Sequence, residues 1–348
     1  MSPAREIAFR VLQKVAKGGY ATDLLRREKA TPRDIALAES IVLGCLRYQP
    51  QLDFLIGFYS GKSAKLDEEV RIALRMGIYQ LRYLDRIPAH AAVADSVEIV
   101  KVARKKSATG FVNAILRKVN RDPVSWPDLA TELCMPPWLL SRWQAQYGTD
   151  AATQMARAAL VEPEVVMNRA TGRQQDAGAQ TIVPLLGVEP GMLVLDLCAA
   201  PGNKTAQILA QGARVVACDL YRKRLMTVDA AASRVLLDGG AALPFGPVFD
   251  RVLLDAPCSG TGTLARNPEI KWRLREADLA EFQELQKRML THARACVKPG
   301  GRLVYATCSL EREENEDVVA AQPVRETHLR QPGRDPGDGF FAAVIDLQ

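Results

Sequence analysis

The chain has 348 residues and a mass of 38.2 kDa, about twice a typical single domain, so two domains are expected and a single small binding module is excluded. Hydrophobic residues make up 48% and charged residues 25%, which excludes a mainly disordered chain. There is neither an apolar stretch of about 18 residues nor an apolar leader, so we expect no membrane span and no secretion. Seven scattered Cys and only three His favour reduced thiols in the cytoplasm over disulfides or a zinc site.

Positive charge is concentrated in the N-terminal part of the chain. Residues 1–130 carry 22 Lys and Arg against 14 Asp and Glu, whereas the rest of the chain is slightly acidic. A basic run such as Lys101–Lys106 could pair with nucleic-acid phosphates or form a solvated helix end. Charge alone leaves both interpretations open.

Apolar residues recur at helical spacing from residue 3 to about residue 120, which predicts an all-α half with five to seven helices. One helix should begin at Thr31, with Pro32 in its first turn, and Pro88 predicts a break between helices. The Pro-rich stretch 121–137 predicts a linker, followed by a helical connector over 138–160.

After residue 190, short apolar runs suited to buried parallel strands alternate with helical stretches. The runs predict strands at 193–197, 214–218, 235–237, 251–254, 302–305 and 342–347. We therefore expect a doubly wound α/β domain with a mostly parallel sheet. One connection is anomalous, because a predicted helix over 222–234 would run straight into a strand without the few residues needed to reverse direction.

The first predicted strand ends in the sequence Asp196-Leu-Cys-Ala-Ala-Pro-Gly-Asn-Lys-Thr205, a small flexible loop where α/β sheets bind nucleotide-like ligands. The second ends in Asp219, a carboxylate suited to ribose hydroxyls. The loop is neither GxGxxG nor GxxxxGK[ST], and acidic strand ends repel phosphate but suit a cationic cofactor such as S-adenosylmethionine. The alternative is that Gly202 only makes a tight turn.

Two further strand ends carry cysteines, in Asp255-Ala-Pro-Cys258-Ser-Gly-Thr-Gly262 and in Ala306-Thr-Cys308-Ser309. If these strands are neighbours, both thiols and Asp255 meet at one edge of the sheet, which suits covalent catalysis. Most buried cysteines are small apolar residues, and we expect that of Cys45, Cys134, Cys218 and Cys296. A transient disulfide is a further alternative, but it would leave the cofactor loop unexplained.

These residues resemble the signatures of the RNA cytosine-C5 methyltransferases, with matching segments at 196–205, 255–262, 267–272 and 299–310. The N-terminal half resembles the NusB fold, an RNA-binding helical domain, in Ile87-Pro-Ala-His-Ala-Ala-Val93 and Gly110-Phe-Val-Asn-Ala-Ile-Leu116. A NusB-like domain joined to this catalytic domain is similar to the bacterial 16S rRNA methyltransferase B group over nearly the whole chain.

The resemblance implies a NusB-like domain over 1–130, linker helices with the remnant of an RNA-binding subdomain over 131–180, and a Rossmann-like class I S-adenosylmethionine-dependent methyltransferase domain over 181–348. It implies RNA as the substrate, with 16S rRNA favoured, and we expect a cytoplasmic monomer without metal or membrane. The alternatives are a tRNA cytosine-C5 methyltransferase and a non-catalytic RNA-binding or ribosome-assembly factor. Intact Asp255, Cys258 and Cys308 disfavour the second.

The resemblance also implies a mechanism. Cytosine C5 is a weak nucleophile until a thiolate adds to C6, and the family motif gives that role to Cys308. Asp255 would hydrogen-bond the N3 edge of the base, and Cys258 would release the product as a base or relay. Lys204 would act as an electrostatic partner or simply belong to the cofactor loop. The target base must leave its helix or loop to be reached.

Cofactor contacts carried over from the motifs are Cys198, Ala199, Ala200, Pro201, Gly202, Asn203, Lys204, Asp219, Arg224, Asp238 and Asp255. Asn203 stands where many members have a second Gly, and Asn is the next most tolerant residue if that position needs a positive φ. Lys271 and Trp272 are candidates for contact with RNA, although Trp272 could equally pack a helix.

Three segments are abruptly shorter than the family pattern, near 169–174, 234–235 and 322–339. Family members usually carry a small RNA-binding subdomain at the first of these. The contractions are either genuine or mark omitted segments whose ends are joined. A genuine contraction would bear on RNA affinity rather than on the chemistry.

Overall fold

A computed structural model describes residues 1–61 and 65–348. The chain forms two compact units. The first comprises Met1–Val161 and Ala265–Arg273, and the second comprises Glu162–Leu264 and Leu274–Gln348.

In the described residues up to 161, the first unit is entirely helical. Its helices are α1 (Pro3–Val15), α2 (Ala21–Leu25), α3 (Pro32–Arg47), α4 (Gln49–Ser60), α5 (Glu68–Tyr83), α6 (Ala89–Val102), α7 (Thr109–Leu116), α8 (Leu129–Glu132), α9 (Pro137–Tyr147) and α10 (Thr149–Ala158). Seven of them precede residue 120, as the periodicity predicted. The helices α9 and α10 confirm that residues 138–160 are helical, and both belong to the first unit.

Local sequence explains where these helices begin and what they bury. The Thr31 side chain accepts a hydrogen bond from the Asp34 amide at 3.2 Å and caps α3, while Pro32 occupies the first turn. Helix α5 ends before Pro88 and α6 begins after it, as expected. The apolar faces of α1, α3 and α5 form one core that includes Val11, Ile41 and Leu74.

The second unit contains a seven-stranded sheet. Its elements are α11 (Ala177–Gln180), β1 (Leu193–Leu197), α12 (Asn203–Ala210), β2 (Arg214–Asp219), α13 (Arg222–Leu225), β3 (Ser233–Leu236), β4 (Phe249–Asp255), α15 (Asp278–Ala295), β5 (Val297–Thr307), α16 (Glu316–Val319), β6 (Val324–Arg330) and β7 (Phe340–Asp346), while α14 (Ile270–Arg273) belongs to the first unit. The strand order is β3-β2-β1-β4-β5-β7-β6, in which β7 pairs antiparallel with both β5 and β6 and the other four pairings are parallel. The doubly wound α/β prediction is confirmed.

Two details of the predicted sheet were wrong. Helix α13 ends at Leu225 rather than at residue 234, so residues 226–232 supply the connection that the sequence pattern lacked. Strand β6 was not predicted, because its buried and exposed positions follow no clear apolar run. None of the helices in the described residues is long and apolar enough to cross a membrane.

Candidate active site

The loop after β1 is shaped by one glycine. Gly202 has φ = 100°, and a Cβ at that position would lie 2.9 Å from the Val228 Cα. Its amide donates to the Ala199 carbonyl at 2.8 Å, which closes the turn before α12. Asn203 is already the first residue of that helix, so the residue that needs a positive φ is Gly202. Asn203 instead donates from its side chain to the Gln174 carbonyl at 3.2 Å.

The rest of the loop is fixed by contacts with β2 and the residues after it. The Ala199 amide donates to the Cys218 carbonyl at 2.8 Å. Thr227 Oγ1 donates to the Pro201 carbonyl and an Arg224 guanidinium nitrogen to the Ala200 carbonyl, both at 3.3 Å. These contacts hold the loop beside Asp219, where the sequence placed the cofactor.

Buried carboxylates make the loop electronegative. Burial raises the pKa of Asp196 to about 7, although Thr205 donates a hydrogen bond to its Oδ2 at 2.6 Å. The pKa of the Cys198 thiol is raised by burial and by the negative charges of Asp255, Asp219 and Asp196. A pocket edge of this polarity stabilises a positive ligand and disfavours phosphate.

Asp219 and Asp238 lie at the ends of adjacent strands. Asp219 is buried, and its Oδ1 accepts from the Tyr221 amide at 2.9 Å while Arg224 lies 3.9 Å from its Oδ2. Asp238 is exposed and accepts from the Gly240 amide at 2.8 Å. The amide of Leu237 donates to the Asp219 carbonyl at 3.3 Å, so the two strand ends meet.

Lys204 and Asp255 form an ion pair beside this loop. Lys204 Nζ lies 2.6 Å from Asp255 Oδ2. Burial acts to lower the pKa of Lys204, but the Asp255 carboxylate outweighs it and the pKa is raised. The charges of Cys308 and Asp196 act in the same direction, so Lys204 is a fixed positive charge near the thiols.

The two strand-end cysteines face each other. The Sγ atoms of Cys258 and Cys308 are 3.4 Å apart, too far for a disulfide bond, and both thiols are free. The pKa of Cys258 is raised well above its usual value because Cys258 hydrogen-bonds Cys308, is buried, and lies near the negative charges of Cys308 and Glu314. Cys258 is therefore the thiol of this pair that holds its proton firmly.

Comparison with known proteins relates this geometry to a family. Residues 183–331 match the 16S rRNA methyltransferase RsmB/F family, and residues 2–121 match the NusB family. The ribosomal RNA small subunit methyltransferase B of Vibrio cholerae is 34% identical over 398 aligned positions, covering 92% of this chain and 92% of the other. The protein of that name from Erwinia tasmaniensis is 32% identical over 427 aligned positions, covering 100% of this chain and 99% of the other. The chain belongs to the RsmB/F family.

Solved structures agree with this fold. The crystal structure of PH0851 has a TM-score of 0.79 and 21% identity, covering 99% of each chain. A methyltransferase homologue from Pyrococcus horikoshii has a TM-score of 0.51 and 23% identity, covering 63% of this chain and 97% of the other. At this identity the likeness shows the fold alone.

As an RsmB/F family member, the chain is a methyltransferase that uses S-adenosylmethionine and acts on RNA. The site fits that cofactor, since the Gly202 turn leaves no room for a Cβ and the surrounding carboxylates favour a sulfonium. Across residues 1–61 and 65–348, no cluster of three or more His, Cys, Asp or Glu is arranged to hold a metal ion.

Two candidate RNA contacts lie elsewhere. Lys271 is only 2% exposed, and its Nζ donates to the Arg47 carbonyl at 2.9 Å. Trp272 donates from Nε1 to the Leu46 carbonyl at 2.7 Å and packs against the helical core. The expectation that Lys271 is available to RNA was wrong, because the residue is buried in the first unit, and Trp272 packs a helix.

The first contraction is a closed turn in this chain. The Asn168 amide donates to the Arg173 carbonyl at 2.8 Å, and the Gly172 amide donates back to the Asn168 carbonyl at 2.9 Å. The Erwinia alignment needs 427 positions for 348 residues, so that relative has dozens of residues without a counterpart here. In this chain a closed six-residue turn spans residues 168–173.

Sequence reasoning missed two buried acids at this edge. Asp196 was taken only as the start of the loop motif, and Glu314 was not singled out. Glu314 is fully buried and accepts hydrogen bonds from the residues that follow each cysteine. The only signal was its place in the acidic segment after the Thr-Cys-Ser turn, which resembles an ordinary solvated charge run.

Proposed function

We propose that this enzyme methylates C5 of a cytidine in 16S rRNA through a covalent adduct on Cys308. The observation that carries the proposal is the pair of free thiols 3.4 Å apart, next to a Lys204–Asp255 ion pair. The names of the relatives supply the 16S rRNA target. The free state of all seven cysteines supports a reducing cytoplasm as the site of action, and we propose a monomer.

Cys308 acts first, as the nucleophile. The Cys258 and Cys308 thiols share a hydrogen bond, and in this mechanism Cys258 is its donor, while the Lys204 ammonium lowers the free energy of the Cys308 thiolate. The Cys308 thiolate adds to C6, so an S–C6 bond forms and the C5–C6 double-bond electrons become available at C5. The base must be unstacked to expose C6 to the sulfur.

Asp255 holds the base during this addition. Its side chain is 29% exposed and fixed on one side by Lys204, so the carboxyl can meet the N3 edge of a cytosine. N3 gains electron density as the sulfur adds, and the proton that Cys308 loses on ionising, taken up between Asp255 and N3, balances it. The loop and Asp219 would hold S-adenosylmethionine, whose sulfonium would supply an electrophilic methyl group for C5.

Cys258 then completes the turnover. Once Cys308 is a neutral thioether, its hydrogen bond and its negative charge no longer raise the Cys258 pKa, burial and Glu314 alone do so, and Cys258 loses its proton to solvent. The Cys258 thiolate takes the C5 proton, the C5–C6 double bond re-forms, and the S–C6 bond breaks to restore the Cys308 thiolate. The shared proton leaves N3 at the same stage.

The test is transfer of labelled methyl groups to unmethylated 16S rRNA free of ribosomal proteins, with a tRNA pool in parallel and nucleoside analysis of both. We expect 5-methylcytidine in 16S rRNA. The same nucleoside confined to tRNA would overturn the ribosomal target but keep the chemistry. The absence of any methylated nucleoside while the cofactor still binds would favour the assembly-factor alternative.

A matched pair of variants tests the two thiol roles. Cys258→Ala should accumulate a protein–RNA adduct resistant to denaturant, because release fails after addition. Cys308→Ala should form none, and Cys296→Ala, which removes a buried thiol away from the strand ends, should turn over normally. An adduct in Cys308→Ala but not in Cys258→Ala would reverse the assignment.

A further inference from the structure

One buried carboxylate joins the loops that carry the two cysteines. Glu314 is 0% exposed and lies in the 3-10 turn Arg312–Glu314 after β5. Its Oε1 accepts from the Ser259 amide at 2.7 Å, and its Oε2 accepts from the hydroxyls of Ser259 and Ser309. Ser259 directly follows Cys258 and Ser309 directly follows Cys308, so a single side chain binds the residue next to each thiol.

A second buried side chain extends this connection to the other side of Cys258. Gln286, on α15, donates from Nε2 to the Pro257 carbonyl at 2.9 Å and to Glu314 Oε1 at 3.1 Å. Pro257 and Ser259 flank Cys258. Ser259 hydrogen-bonds Glu314 directly, and Pro257 is connected to it through Gln286. Cys258 is therefore held through its backbone on both sides.

The hydrogen-bond pattern favours an ionised Glu314. Its Oε1 faces two groups that can only donate, the Ser259 amide and the Gln286 amide, and its Oε2 faces the hydroxyls of Ser259 and Ser309. The Ser309 hydroxyl is meanwhile an acceptor for the Glu311 amide at 3.0 Å, so its proton is free to point at Glu314. A protonated carboxyl would need one of the hydroxyls to accept instead of donate.

We propose that Glu314 is a positioning residue that sets the separation of the Cys258 and Cys308 thiols. It contacts neither sulfur, and its function is to lock the two loops in one relative arrangement. This inference rests on the proposed function for its catalytic consequence, although the geometric claim stands by itself. Burial raises the pKa of Glu314, and the hydrogen bonds from Ser259, Ser309 and Gln286 oppose that shift.

The arrangement also links Glu314 to the chemistry of Cys258. The negative charge of Glu314 contributes to the raised pKa of the Cys258 thiol. An isosteric amide at this position removes the charge and replaces one acceptor oxygen with a donor, which must turn away from the serine hydroxyls or the Ser259 amide. Both the thiol spacing and the proton-sharing between the thiols should change.

The test compares Glu314→Gln with Glu316→Gln, the same chemical change on an exposed side chain two residues away. Phenylarsine oxide captures two thiols only when they are close together, so its affinity reports the pair without RNA or cofactor. Cys258→Ser and Cys308→Ser are the negative controls, because each variant lacks one of the two thiols. We expect Glu314→Gln to weaken capture at least tenfold and Glu316→Gln to leave it unchanged.

Kinetics complete the test. In Glu314→Gln, kcat for RNA methylation should fall at least tenfold and its pH profile should shift to lower pH, while KM for RNA and Kd for S-adenosylmethionine change less than threefold. If the substitution only damaged the structure, kcat, the pH profile, KM and Kd would all change together. If Glu314→Gln fails to fold, Ser259→Ala, which removes one hydroxyl and keeps the amide contact, should show a smaller change in the same direction.

Two outcomes separate this inference from the proposed function. Unchanged arsenical capture in folded Glu314→Gln or Ser259→Ala overturns the positioning role, whether or not the enzyme methylates cytidine. Weakened capture in an enzyme that forms no 5-methylcytidine overturns the proposed reaction and retains the role of Glu314 in setting the thiol pair.

Discussion

The helical unit and the sheet edge of the α/β unit bury polar groups in different ways. In the helical unit the buried side chains of Lys271 and Gln80 donate to the backbone carbonyls of Arg47 and Met76, and Gln80 also accepts from the Arg5 guanidinium. At the sheet edge, Lys204, Asp255, Cys258 and Cys308 influence one another's protonation. We therefore expect the volume of a side chain to determine the effect of a substitution in the helical unit, and its charge to determine the effect at the sheet edge.

The largest effect is expected from changing charge at the sheet edge without changing shape. Asp255→Asn removes the partner of Lys204 and the group that shares a proton with N3, so the single-turnover rate of methyl transfer should fall by about 10²–10⁴. Asp250→Asn is the control, since Asp250 lies on the same strand and pairs with Lys298 at 2.8 Å. Equal rates for the two variants would refute the electrostatic role of Asp255.

A change of volume at the same edge should act on cofactor affinity. Gly202→Ala forces a Cβ to within 2.9 Å of a backbone atom and strains a φ of 100°, so Kd for S-adenosylmethionine, measured by calorimetry, should rise at least tenfold. Gly300→Ala is the control. It introduces backbone strain without a steric clash, because the φ of Gly300 is 74° and no atom lies within 4 Å of the added Cβ. If both variants bind the cofactor equally well, the close approach at Gly202 has no role in binding.

In the helical unit, replacing a glycine with alanine should affect the stability of the protein and not its affinity for the cofactor. A Cβ at Gly44 in α3 would lie 1.9 Å from Tyr79 Cζ, so Gly44→Ala should lower the free energy of unfolding by about 1–3 kcal/mol. Gly57 in α4 has no atom within 4 Å of the added Cβ, and Gly57→Ala should raise it by about 0.5–1 kcal/mol. Denaturant unfolding measures both, and a stabilised Gly44→Ala would contradict the packing argument.

The same contrast explains what the sequence could predict. Helix starts such as Thr31 and the apolar runs of the central strands are local signals, and they were found. Asp255, Cys258 and Cys308 were predicted to meet because the carboxyl ends of neighbouring parallel strands share an edge. The buried state of Lys271 depends on a carbonyl of α3 more than 200 residues away in the chain, and that of Glu314 on two serines in separate loops. No local pattern carries such information.

The smallest expected effect sharpens the comparison, because it concerns the charge of a buried side chain in the helical unit. Burial lowers the pKa of Lys271 to about 7, well below its value in an unfolded chain. Between these two values the unfolded chain binds the extra proton, so the contribution of Lys271 to stability increases as pH rises above 7. Lys271→Met should lose about 1 kcal/mol of that increase between pH 7 and 8.

The measurement is the free energy of unfolding of the full chain at both pH values for Lys271→Met and for Lys101→Met. Lys101 is exposed and pairs with Glu98, so its replacement should leave the pH dependence of the native protein in place. The difference between the two variants cancels the titration of Asp196 and of the thiols, which both retain. Identical pH dependence in the two variants would mean that Lys271 stays charged in the folded protein, and that the helical unit tolerates a buried ammonium on backbone carbonyls alone.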